Sequence, residues 1–135
     1  MNDASKTEIL DPIISILKDD VEFALLFGSI KTGRILPESD IDLAVYLKKH
    51  HIEFNEYIEL KTRLSATTER DIDLVILNSC DIIIAMQVLA NGELIVNNNH
   101  NLFVRYKAQK ISEYIDFRMD RKAIEENILA GGIYA

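Results

Sequence analysis

Phe27 to Val45 reads FGSIKTGRILPESDIDLAV, and this stretch decides the fold. It opens where an apolar run, Val21-Glu22-Phe23-Ala24-Leu25-Leu26-Phe27, stops at Gly28. A short apolar run closed by glycine predicts a buried strand. It ends in Asp40-Ile41-Asp42-Leu43, where acids alternate with aliphatic residues, and that alternation through Tyr46 predicts a strand with two unlike faces. Between them, Gly28 to Ser39 carries two Gly, two Ser, a Thr and a Pro, the composition of a turn region. Residues two apart in a strand point to one face, so Asp40 and Asp42 stand roughly 6.6 Å apart along the chain at ~3.3 Å per residue. Two unpaired carboxylates on one face repel, and fold stability does not ask for them. A hard divalent cation does, because it takes carboxylate oxygens and leaves positions for substrate phosphates.

Working outward, Asp71 to Leu77 repeats the alternation as Asp-Ile-Asp-Leu and predicts a third strand. If it lies beside the second, three carboxylates converge on one patch, a workable two-metal site for phosphoryl transfer. Asp71 and Asp73 have the same parity, so either can be the third acid. Gly28-Ser29 permits a tight turn with close backbone approach, and a helix starting there would aim its N-terminus at a phosphate. Taken singly, a Gly-Ser is a plain turn and an Asp-x-Asp a solvated edge. Together, at this spacing and with a later acidic strand, they form a specific combination.

The remaining elements follow from periodicity. Ile9, Leu10, Ile13, Ile14, Ile16 and Leu17 predict an amphipathic helix over 5–18, with Asp11-Pro12 marking a restart inside it. Further helices are predicted across 53–68, from Asp81 to Ala90 with Ser79 or Asp81 near the cap and Asn91-Gly92 as the stop, and across 102–129, ended by Gly131-Gly132. Glu93 to Val96 reads as a short fourth strand. The order α-β-β-α-β-α-β-α describes an α/β (α+β) chain, a small mixed β-sheet flanked by helices.

Composition bounds the alternatives. The chain has 135 residues, which suits a single domain over 1–135. At 48% hydrophobic and 27% charged it is not a disordered chain, and Gly 5 with Pro 2 excludes a collagen-like one. Apolar runs of about five residues fall well short of the ~20 that a membrane helix needs. The N-terminus MNDASKTE has neither the basic nor the apolar region of a secretory signal. Cys80 stands alone, which excludes a disulfide framework and suits the cytoplasm. Fifteen basic against 22 acidic residues give a net charge of −7, so no general attraction to nucleic acid or anionic membrane is expected.

Gly28-Ser29, Gly33, Ser39-Asp40, Asp42-Leu43 and Asp73-Leu74-Val75 resemble the nucleotidyltransferase superfamily of DNA polymerase β type. The small size, the Leu89–Val96 stretch and the aromatic C-terminal helix look like its minimal nucleotidyltransferase (MNT) branch. Proteins of that branch act as antitoxins to HEPN-domain ribonuclease toxins. The resemblance covers most of the chain and implies the polymerase β-like fold. It implies a Mg²⁺-dependent protein adenylyltransferase that moves AMP from ATP to a tyrosine of a HEPN toxin. It assigns Gly28 and Ser29 to the nucleotide triphosphate, Asp40 and Asp42 to Mg²⁺, and Asp73, ahead of Asp71, to the third carboxylate. Lys31 and Arg34 either neutralise the triphosphate or are solvated loop cations. Two other readings stand beside this one: an antitoxin that acts by contact alone, and a small-molecule, aminoglycoside-type nucleotidyltransferase.

Elsewhere the plainer reading is favoured. His50 and His51 suit a solvated turn, His100 a loop, and Cys80 a small buried side chain. Tyr106 and Tyr114, eight apart, read as core packing on one helix face.

Overall fold

A computed structural model of the chain describes residues 6–28 and 40–129. The elements run α1 (Lys6–Leu17), β1 (Val21–Phe27), β2 (Ile41–Leu47), α2 (Phe54–Thr68), β3 (Ile72–Ile76), α3 (Ile82–Asn91), β4 (Glu93–Asn97) and α4 (His100–Leu129). This is the order expected from the sequence. The predicted end of the last helix at Gly131-Gly132 lies outside the described residues.

The strands form one sheet in the order β3-β2-β1-β4. β1 pairs antiparallel with both β2 and β4, and β2 pairs parallel with β3 through the α2 crossover. The sheet is therefore mixed, with its polar N-terminal tips of β2 and β3 at the same end as the C-terminal tip of β1. Val21 opposite Leu47 marks the other end.

Each face of the sheet buries a separate core. On one face Ile9, Ile13 and Leu17 of α1 and Leu60 and Leu64 of α2 pack on Leu26, Leu43 and Val45. On the other, Val88 and Leu89 of α3 and Tyr106 of α4 pack on Phe23, Leu25 and Ala44. The central strands are covered twice, which is why β1 reads as a nearly continuous apolar run. Phe23 stacks on Tyr46 and meets Phe103 and Tyr106 at steeper angles, with ring centroids 5.1–5.6 Å apart.

One expectation about α1 needs correction. Asp11-Pro12 is no restart; Pro12 sits inside a continuous helix. Proline removes one backbone hydrogen bond and crowds the preceding turn. Burial of Ile9 on one side of it and Ile13 and Leu17 on the other holds the helix through it. α3 starts as expected: Asp81 is its N-cap, accepting from the Ile84 N–H at 2.9 Å. Gly92 caps its end, and glycine stands there for a steric reason. Its φ is −80°, open to any residue, but a Cβ there would lie 2.4 Å from the Val88 carbonyl oxygen and 3.0 Å from Leu25.

Candidate active site

The site grows from the parallel register of β2 and β3. Asp42 lies directly opposite Asp73, and Leu43 opposite Leu74. Antiparallel pairing with β1 sets Phe27 opposite Asp42, so the turn at Gly28 begins against the same carboxylate. Ala44 and Tyr46, on the parity of Asp42, and Val75, on that of Asp73, all face the α3–α4 side. Both acids therefore project to that side, at the tip of the sheet. Asp40 precedes β2 and is exposed, as are Asp71 and Asp73, while Asp42 is half-buried.

Gly28 has φ +82°, and a Cβ built on it would fall 1.9 Å from Asp42 Oδ2. Glycine is required twice over, by the left-handed backbone and by the carboxylate beside it. The chain thus brings bare backbone up to the Asp42 carboxylate, and any larger residue at position 28 would displace that acid.

Asp42 carries the electrostatic signature of the cluster. Burial pushes its carboxyl above the ordinary range; the charges of Asp73 and then Asp40 add to this, as does a hydrogen bond shared with Asp73. Every cause acts in one direction, and no cation among the described residues offsets them. A group strained this way marks a functional site more often than a structural one. Among the described residues no three His, Cys, Asp or Glu side chains form a complete metal cage. An ion bound by two carboxylates and completed by substrate phosphates needs no such cage.

The expected site residues divide as follows. Gly28, Asp42 and Asp73 come together, and Asp40 lies close enough for its charge to act on Asp42. Asp71 lies just ahead of β3, where its carbonyl accepts from the Ile41 N–H at 2.9 Å, and it is not among the charges that act on Asp42. Ser29, Lys31, Gly33, Arg34 and Ser39 lie outside the described residues. The sequence reading missed Tyr57, whose hydroxyl donates to the Leu74 carbonyl at 2.8 Å and pins the edge strand next to Asp73. Only the structure shows Tyr57 half-buried with its hydroxyl in need of a partner. His50 and His51 are exposed beyond the end of β2, as a solvated turn requires. Cys80 is half-buried, and burial pushes its thiol up, away from reactive thiolate.

A family model described as polymerase beta, nucleotidyltransferase matches residues 11–101. The chain belongs to the polymerase beta nucleotidyltransferase family. Over 123 residues this nucleotidyltransferase is 30% identical to protein adenylyltransferase MntA of Shewanella oneidensis, covering 87% of this chain and 86% of that protein. It superposes on a crystal structure of a toxin–antitoxin with AMP-PNP at TM-score 0.74 and 27% identity, covering 88% of this chain and 97% of that one. It superposes on the crystal structure of the toxin–antitoxin MntA–HepT at TM-score 0.71 and 25% identity, covering 90% and 97%. The four-stranded mixed sheet with helices on both faces is therefore the polymerase β-like nucleotidyltransferase fold, as the sequence led us to expect.

Proposed function

We propose that this nucleotidyltransferase is an antitoxin that transfers AMP from ATP to a tyrosine hydroxyl of a cognate HEPN-domain ribonuclease toxin in the cytoplasm, and so silences it. The observation that carries the reading is the Asp42–Asp73 pair in register beside Gly28, in a chain that is 30% identical to a protein adenylyltransferase.

In the reaction the tyrosine oxygen attacks the α-phosphorus, the bond to the β-phosphate oxygen breaks, and pyrophosphate leaves. Asp73, the exposed carboxylate, accepts the proton of the attacking hydroxyl. Gly28 lets the triphosphate approach the backbone without meeting a side chain. Ser29 follows it and would donate to a phosphate oxygen, with Lys31 and Arg34 as counter-charges. The acid cluster fits a divalent cation: hard oxygen ligands, crowded, and without a cationic partner among the described residues. Asp40 and Asp42 would hold Mg²⁺, with Asp73 beside them. Mg²⁺ supplies charge neutralisation of the phosphates and alignment of the nucleophile.

Pyrophosphate release from ATP and Mg²⁺ tests the reading. We expect release that depends on the purified toxin and is lost with Asp42→Asn. Release that requires an added aminoglycoside and is indifferent to toxin would favour a small-molecule acceptor instead.

A further inference from the structure

The two acids of the pair are held unequally. Asp42 lies on β2, which has β1 on one side and β3 on the other. Asp73 lies on β3 at the edge of the sheet, where among the described residues only β2 pairs with it. An edge strand presents a row of backbone groups that the ladder does not hold. The Asp71 carbonyl accepts from the Ile41 N–H at 2.9 Å, and the Leu77 N–H donates to the Val45 carbonyl at 2.8 Å. Odd-numbered residues of β3 therefore turn their backbone to β2, and even-numbered ones turn it outward.

Two of the outward carbonyls are taken by hydroxyls of α2. Tyr57 donates to the Leu74 carbonyl at 2.8 Å, and Ser65 donates to the Arg70 carbonyl at 2.6 Å. The spacing explains the match: the eight residues of helix between the hydroxyls advance about 12 Å, and the four residues of strand between the carbonyls about 13 Å. Asp73 lies between the two anchors, directly before Leu74. Otherwise α2 and β3 meet through apolar side chains, with Leu60 and Leu64 sharing a core with Ile72 and Leu74. Apolar burial is non-directional and does not fix a strand along its axis, whereas a hydrogen bond demands both distance and angle. A hydroxyl on this helix can be satisfied without the strand. Thr68 does so, donating to the Leu64 carbonyl of its own helix at 2.8 Å, while Ser65, open to the same kind of bond, reaches across instead.

We propose that Tyr57 and Ser65 are positioning residues for the transfer reaction: by holding the Leu74 and Arg70 carbonyls they fix where β3 stands along β2, and so place Asp73 against Asp42 and the attacking hydroxyl. This rests on the reading above of Asp73 as the proton acceptor. A base of that kind must come within about 2.6–3.2 Å of the oxygen whose proton it takes. A misplacement of about 1 Å is enough to cost about 10²-fold in rate. Triphosphate binding falls to Gly28 and to Asp40 and Asp42, ahead of or on strands that α2 does not anchor in this way, so the two hydroxyls act on turnover and leave ATP affinity alone.

The test is AMP transfer from ATP and Mg²⁺ to the purified cognate HEPN toxin. kcat and the KM for ATP are measured for wild type, Tyr57→Phe/Ser65→Ala and Ser65→Thr, and for the first two again with Asp73→Asn added. Thr68→Val, which removes a hydroxyl bonded inside α2, is the control, and circular dichroism melts give the folded fraction. Tyr57→Phe/Ser65→Ala should lower kcat per folded molecule by about 10- to 100-fold. Its KM for ATP should stay within about twofold of wild type. Ser65→Thr, which keeps the hydroxyl, and Thr68→Val should both turn over like wild type. With Asp73→Asn the double change should cost nothing further, because a residue that acts only through Asp73 has nothing left to place. A lower melting temperature with kcat per folded molecule unchanged overturns the positioning role, and so does an equal loss of kcat in both backgrounds. Asp73→Asn as active as wild type overturns the proton-acceptor reading and this role with it, whereas an inactive Asp73→Asn beside a fully active Tyr57→Phe/Ser65→Ala overturns this role alone.

Discussion

The two ends of the central sheet are built on opposite rules. At the far end side-chain hydrogen bonds tie down the ends of the strands. Asn78 clamps Leu47 with both halves of its amide, accepting from its N–H at 2.8 Å and donating to its carbonyl at 3.0 Å. Tyr106 donates to the Leu77 carbonyl at 3.0 Å, and Asn98 donates to the Lys18 and Val21 carbonyls. At the near end Asp42, Asp73 and Asp40 push against one another with no cation between them among the described residues. The first end is what a fold does to persist. The second is a local cost that the first end offsets, and a bound cation would relieve it.

That contrast can be broken from either side, and the largest effect belongs to the near end. Asp42→Asn should lower AMP transfer by more than about 10³-fold, because electrostatic stabilisation is usually the largest single term in catalysis. The same change should stabilise the protein without metal. Asp42's folded-state pKa is raised above 3.8, so its contribution to folding is whole below that value and lost as pH rises through the raised one. In EDTA at pH 7 the Asn variant should therefore melt higher than wild type, and the gain should vanish below about pH 4. Melting curves across pH check this; a variant less stable at pH 7 would show that the carboxylates are not in conflict.

Asp73→Asn should follow, losing about 10²–10⁴-fold in turnover as expected for a proton acceptor, while Asp71→Asn stays within a few-fold. Steady-state kinetics of both variants decide it, and the reverse ranking would move the third acid to Asp71.

Gly28→Ala should then combine both kinds of damage. Its backbone conformation alone costs an alanine about 1–2 kcal/mol, and its methyl displaces the Asp42 carboxylate. Denaturant melts and AMP-PNP titration should both fall. Unchanged nucleotide affinity would detach the turn from the site.

The smallest effect belongs to the far end. Asn78→Ala should destabilise by about 1–3 kcal/mol, the cost of leaving buried backbone groups unsatisfied. Its turnover per folded molecule should equal wild type. Lost turnover there would mean that the two ends are not independent.

Much of this was legible before any coordinates. The Asp-x-Asp alternation placed β2 and β3, and the glycine after an apolar run placed β1, because strand periodicity is a local property. The choice between Asp71 and Asp73 was not local. Both have the same parity, and only the pairing of β2 with β3, across the α2 crossover, sets Asp73 opposite Asp42. Pro12 misled because its local cost is real, and the burial that overrides it is contributed by the sheet and α2. Tyr106 and Tyr114 read alike at helical spacing, yet only Tyr106 reaches the Leu77 carbonyl, while Tyr114 is half-buried.

The central claim is that the acid cluster at the tip of β2 and β3 transfers AMP to a protein. The most direct measurement is the intact mass of the purified HEPN toxin after incubation with ATP, Mg²⁺ and either wild type or Asp42→Asn. The account predicts adenylate-sized increments on the toxin with wild type and none with the variant. No added mass with wild type, although a complex forms, or equal increments with Asp42→Asn, would contradict it.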